Sequence, residues 1–356
     1  MRVSILGAGA IAYGLAAYLA EAGFAPVLWS PTGERTKALA AGELLKATGA
    51  IEATVPVRIA KDCKSAIADA DVVMIALPAY GHKKVIDAAT PYLREGMPVI
   101  ISSHSSFGAL YLSKQLAERK VKLPIVVWGT TLLTGRQRGP TAVHVATVRR
   151  KLDVATLPFD AQDEGFDLCT TLFGDRFVKR DGLLAISLSN LNPQNHLGIA
   201  LLNLTRMEKG EQWSQGGNVT PAVGRFIEAL DVERLAIASH FGIAVRTVEE
   251  HFSLSYHVPM SSVSNMNQEM DRKGLGGFGP TTIESRYILE DVPFGLLPTV
   301  FLGTISGNPA TLHQSGISIL SAAYGRDLKG DNDLLPALGI EGMTDADINS
   351  LCRMGF

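Results

Sequence analysis

The sequence predicts a chain in two parts: a doubly wound, mostly parallel α/β sheet over residues 1–180 and an all-α domain over 181–356. Three observations predict it. An apolar run, Val3 to Leu6, meets a glycine-rich turn and then a helical repeat. Short apolar runs alternate with helical stretches up to about residue 130, and after Leu183 strand signals nearly vanish while apolar residues recur three and four apart. At 356 residues, with 46% hydrophobic and 19% charged side chains, each part has the apolar material for a core of its own.

The first strand ends at "GAGAIA", after which Ala16, Leu19 and Ala20 carry helical spacing until Gly23 stops it. In the Gly7-x-Gly9-x-x-Ala12 pattern, with Ala10 at the helix start, the backbone can turn sharply and come close to a pyrophosphate. The following helix aims its N-terminal N–H groups and dipole at that negative charge. Strand, turn and helix together are the fingerprint of a Rossmann dinucleotide-binding domain. Further strands are predicted at 25–29, 71–78, 97–102 and 124–128, with helical stretches such as 83–92 between them. Ligands of such sheets lie beyond the carboxyl ends of the strands, where Pro78, Ala79 and Ser102 to Ser106 fall. His82 and His104 stand near the same ends and read as solvated loop residues. Within 141–158 two β-rich runs without a helix between them predict antiparallel strands extending the sheet. A helix over 163–174 and a last strand from Arg176 complete the domain.

The end of the second strand bears on which nucleotide binds. An NAD site usually places an acid there for the ribose 2′-OH, whereas this chain reads "LWSPTGERT". Ser30, Thr32 and Arg35 suit a 2′-phosphate, which Arg binds bidentately, so NADP is favoured and NAD possible, with Glu34 a displaced substitute.

Composition excludes other classes. A net charge of −2 and a pI near 6.5 give no basic footprint for nucleic acid or an anionic membrane. Cys63, Cys169 and Cys352 are odd in number and far apart, so they read as reduced core thiols, neither a disulfide framework nor a metal site. The N-terminus carries no basic leader, and no apolar stretch approaches the ~18 residues of a membrane span, which predicts a cytoplasmic protein. A homodimer through exposed apolar helix faces is the expectation for assembly.

In the helical part, "NLNPQNHLG" reads as an N-cap at Asn192 and a first helical position at Pro193, which puts His196 in the first turn. Such a histidine could give and take protons near neutral pH if a carboxylate fixed its tautomer. Further along, "SRYILEDVPFG" sets Arg286 and Glu290 four apart, read as a solvated ion pair, with Asp291 beside them. The "GGFGP" stretch, 276–280, is a loop or lid candidate, and Trp213 reads as a packing residue.

The glycine fingerprint followed by "NLNPQNHLGIALLN", "EQWSQGGNVTPAVGRFIEALDVERLAIASHFG" and "SRYILEDVPFGLLP" resembles the opine dehydrogenases, the octopine and nopaline dehydrogenase family, over nearly the whole chain. The resemblance implies a two-domain NAD- or NADP-dependent enzyme that reductively condenses an α-keto acid, such as pyruvate, with the amino group of an amino acid or amine. It implies His196 as the catalytic histidine, Asp291 as its partner and Arg286 as the clamp for the substrate carboxylate. Two alternatives remain open. One is a reductase of the ketopantoate or glycerol-phosphate type, which would need a catalytic lysine where only Lys209 and Lys273 are on offer; the other is a non-catalytic dinucleotide-sensing protein.

Overall fold

The computed structural model describes residues 1–103 and 107–356, so the expectations for His104, Ser105 and Ser106 fall outside the described residues. The chain forms two compact units, Met1–Ser187 with Ile348–Phe356, and Leu188–Asp347. The division lies seven residues beyond the expected boundary, inside the helix Gly182–Ser189. The last helix, Asp345–Met354, carries the chain back into the first unit, where Arg353 pairs with Asp181 and the Phe356 N–H donates to Ser113 Oγ at 3.0 Å.

Among the described residues the first unit holds twelve strands: β1 (Arg2–Leu6), β2 (Ala25–Trp29), β3 (Leu45–Gly49), β4 (Ala53–Val55), β5 (Arg58–Ile59), β6 (Val72–Ile75), β7 (Val99–Ile101), β8 (Ile125–Trp128), β9 (Leu133–Gln137), β10 (Ala142–Val148), β11 (Leu152–Leu157) and β12 (Phe177–Lys179). Eight form one sheet in the order β12-β11-β8-β7-β6-β1-β2-β5. Six of them, β5, β2, β1, β6, β7 and β8, run parallel, while β11 pairs antiparallel with β8 and β12 runs parallel to β11. β1 lies between β2 and β6, so the glycine turn at its end stands at the centre, where the strand order reverses.

The two runs in 141–158 part company. β11 extends the main sheet as expected, whereas β10 joins a second, four-stranded sheet in the order β4-β3-β10-β9. The helix Ala10–Glu21, whose sequence is apolar nearly all round, packs into one core with residues of both sheets, among them Leu45, Leu133, Val143 and Val145. That second sheet explains why the helix has no polar face to keep wet.

The second unit is all-helical, and a single apolar core joins Leu197, Ile227, Ile288, Val292 and Ile317 from its separate helices. A run from Arg286 to Ile305 crosses it. This run is long and apolar enough to span a membrane by length and composition, contrary to the expectation that no stretch reaches that length; here 61% of its apolar window is buried within the fold. Its middle, Val292–Leu296, is a π-helix. Leu297 N–H donates to the Val292 carbonyl, five residues back, and the Pro293 carbonyl that this passes over accepts from Asn332 Nδ2 at 2.7 Å.

Candidate active site

The glycine turn of the first unit is shaped for close approach. Gly7 has φ +148°, and a Cβ there would lie 2.2 Å from the Ala76 carbonyl oxygen, so only glycine lets the turn pass the end of β6. Buried Ala12 packs behind it, and Gly9 and Ala10 open the helix. A Cβ on Gly9 would meet only Arg35 Nη1, at 4.0 Å, so the guanidinium stands beside the open turn. Arg35 makes no ion pair among the described residues, whereas Glu34 is held by Lys37 at 2.7 Å. The Ser30 Oγ is buried without a hydrogen-bond partner among the described residues, and Thr32 lies exposed in the turn after β2. Pro78 follows β6 and leads into a short helix. These groups fit a dinucleotide: a cradle that a Cβ would fill, an orphaned hydroxyl and a cation without a carboxylate partner.

His82 does not behave as a solvated loop residue. It is fully buried, its Nε2–H donates to the Leu77 carbonyl at 3.1 Å, and burial pushes its pKa down to about 4. It is a neutral part of the core, and Ser102 beside this strand end is buried as well.

In the second unit the helix Asn192–Leu202 presents His196. Asn192 is the first helical residue here and not the cap; its N–H bonds to Asn190 Oδ1 at 3.1 Å. His196 therefore sits a full turn in, where the dipole of the helix end has faded. His196 Nδ1 meets Asp291 Oδ2 at 2.7 Å, with side-chain exposures of 13% and 6%. The carboxylate accepts the Nδ1 proton, which leaves Nε2 without a hydrogen-bond partner among the described residues. Ninety-five residues separate the two in sequence, and close packing of two helices brings them together. A Cβ on Gly295 would fall 2.3 Å from Pro193 Cγ, so the π-helical stretch touches the start of the histidine helix backbone to ring.

Arg286 lies 3.4 Å from Glu290 through Nε, but the pair is lopsided. The Arg286 side chain is 62% exposed and that of Glu290 is 11% exposed, so Glu290 is no solvated partner as the sequence suggested. Tyr287 was not singled out by the sequence. Its ring stacks on His196 with centroids 3.5 Å apart and planes 9° from parallel. Beneath the same helix a buried polar network holds the start in place: Gln194 donates to Asp231 at 2.6 Å, and Asp231 pairs with Arg234 at 2.7 Å. The loop 276–280 is tied by backbone bonds, from Gln215 to the Gly277 carbonyl at 2.9 Å and from Gly279 to the Trp213 carbonyl at 3.0 Å. Trp213 itself is buried in the core.

A dinucleotide cradle on a parallel sheet, followed by a helical unit with a histidine–carboxylate pair, belongs to an NAD(P)-dependent oxidoreductase. A family model described as NAD/NADP octopine/nopaline dehydrogenase, alpha-helical domain, matches residues 179–324, and one described as ketopantoate reductase PanE/ApbA matches residues 3–158. An opine dehydrogenase of Arthrobacter sp. (strain 1C) is 30% identical over 356 residues, covering 98% of this chain and 97% of that protein. The chain belongs to the opine dehydrogenase family. Its fold is similar to that of an octopine dehydrogenase solved with NADH and agmatine, at a TM-score of 0.82 and 16% identity over 98% of each chain. It is also similar to an NADP+-bound yersinopine dehydrogenase, at a TM-score of 0.69 and 18% identity over 99% of this chain and 97% of that one.

Proposed function

We propose that the chain catalyses the NADPH-dependent condensation of an α-keto acid with the amino group of an amino acid or amine, through an imine, to a secondary amine. The observation that carries this reading is the 2.7 Å contact between His196 Nδ1 and Asp291. A histidine whose tautomer is fixed on one side offers Nε2 as base and, once protonated, as acid. His196 takes the proton released as the amine adds to the keto carbon, and returns one as the carbinolamine loses water. Asp291 steadies the imidazolium between those steps. Arg286, largely exposed and 3.4 Å from Glu290 through Nε, clamps the keto acid's carboxylate.

Gly7, Gly9, Ala10, Ala12 and Pro78 would line the dinucleotide, and Ser30, Thr32 and Arg35 would take its 2′-phosphate. When bound, the reduced dinucleotide would supply, from its nicotinamide ring, the hydride that reduces the imine. The octopine dehydrogenase structures hold pyruvate, arginine or agmatine with NADH, which supports pyruvate as the first keto acid to try and a cationic amine among the first partners. A catalytic lysine of the ketopantoate-reductase kind has less support, since Lys273, at the exposed end of the helix Val263–Arg272, is engaged with Glu269 at 3.4 Å.

The test is a matrix of keto acids against amines, following NADPH loss and weighing the products by mass. Turnover should need both partners and yield the secondary amine. Reduction of the keto acid alone at a comparable rate would make this a hydroxy-acid dehydrogenase instead, and no oxidation with any pair would favour a binding protein.

A further inference from the structure

The structure assigns Tyr287 a role beside Asp291, as the residue that sets the plane of the His196 ring. Asp291 holds one atom of the imidazole, and a single hydrogen bond leaves the ring free to swing about it. Tyr287 removes that freedom. Its ring lies flat on the imidazole, with centroids 3.5 Å apart and planes within 9°. Tyr287 and Asp291 stand four residues apart on one helical run, so one face of that run supplies both the carboxylate at the ring's edge and the phenol on its face.

The phenol is itself restrained. Its hydroxyl donates to Gln215 Oε1 at 2.6 Å, and the Gln215 N–H donates to the Gly277 carbonyl at 2.9 Å. Ser285 Oγ accepts from the Tyr287 N–H at 3.3 Å and so fixes the start of the short helix that carries the ring. Imidazole, phenol, amide and the 276–280 loop thus form one strut. Its function is positional: a proton-transfer group must be held within tens of degrees of its working geometry. This role rests on the acid–base reading of His196 given above.

The experiment uses the full-length protein with histidine ring carbons labelled, and His196→Gln to identify the His196 signal. In Tyr287→Leu the His196 Cε1–H resonance should move downfield as the ring current of the phenol is lost, while in Tyr287→Phe it should stay close to wild type. With NADPH, pyruvate and the amine that turns over best, Tyr287→Leu should lose roughly tenfold or more in kcat at unchanged KM for NADPH. Tyr287→Phe and Gln215→Leu should each lose less, and combining them should cost no more than either alone, because both cut the same strut. These two milder variants keep the question open to measurement if Tyr287→Leu folds poorly. A His196 resonance unmoved in Tyr287→Leu, or additive losses for Tyr287→Phe with Gln215→Leu, overturns the role. If His196→Gln keeps its turnover, the acid–base reading fails, and the resonance still decides whether Tyr287 sets the ring.

Discussion

Asp291 is where a surface ion pair and a catalytic carboxylate make different demands. Buried to 6% of its side-chain surface and 2.7 Å from His196, it is committed to the imidazole and leaves Arg286 to Glu290. Asp291→Asn keeps the volume but can turn an amide N–H toward Nδ1, so turnover should fall roughly a hundredfold or more while NADPH affinity holds. Adding His196→Ala should then cost little more than His196→Ala alone, and fully additive losses would remove the pair from the mechanism. At the nucleotide end, Arg35 stands beside the Gly9 turn with no ion pair among the described residues. Arg35→Ala should erase most of an NADPH preference on the order of 1.5–3 kcal/mol, read as the ratio of kcat/KM for the two cofactors. Equal use of NADH by the wild type would end that assignment. Among these residues, Arg35 after the second strand, His196 near a helix start and the four-residue spacing of Arg286 and Glu290 could be read from the local sequence. The partnership of His196 with Asp291, 95 residues away, came through family resemblance, because no periodicity links distant helices. Tyr287 carries no signal of its own, because an aromatic beside a charged pair reads as ordinary packing.

Between elements, the site depends on how closely two helices approach. The histidine helix meets the π-helical stretch at Gly295, where a methyl group would sit 2.3 Å from the rigid ring of Pro193. Gly295→Ala should therefore part the helices, lowering stability by about 1–3 kcal/mol and turnover by more than that loss of folded protein explains. Denaturant unfolding and steady-state turnover check it together; full stability with full turnover would show that the contact does not set the site. Elements with strong periodicity were legible: β1, the glycine turn, the helix Ala10–Glu21 and the long helix Pro221–His240 all stand where the pattern puts them. The second sheet was not. Its strands β3, β4 and β9 are short, and their signal is a faint alternation in which Leu45, Ala47, Ala53 and Val55 are buried between exposed neighbours. In β9, Gly135 lies so near the His144 carbonyl that a Cβ would come within 2.5 Å, and a glycine in a polar run reads as a loop.

For the whole molecule, the cysteines offer a way to watch one unit without the other. All three lie in the first unit, Cys352 because the last helix returns to it. Burial pushes Cys63 and Cys169 up to about 12 and raises Cys352 as well, so at pH 8 the folded chain presents almost no thiolate. Labelling then requires opening, and its rate follows the open population. In the opened state the thiols return to an ordinary pKa near ~8.5, so raising the pH should speed labelling through that state and not through the native one. The three thiols should become reactive together as denaturant unfolds the first unit. The dinucleotide should oppose that opening, because a ligand that binds only the folded unit at ~100 times its Kd adds about 2.7 kcal/mol, roughly a hundredfold in labelling rate. Trp213, which lies in the second unit, reports on that unit independently through variants in which Trp29 and Trp128 are replaced. Reaction of Cys352 under native conditions, ahead of Cys63 and Cys169, would show that the C-terminal helix is not held as part of the first unit, and labelling indifferent to both NADP+ and NAD+ would take the glycine turn out of nucleotide binding.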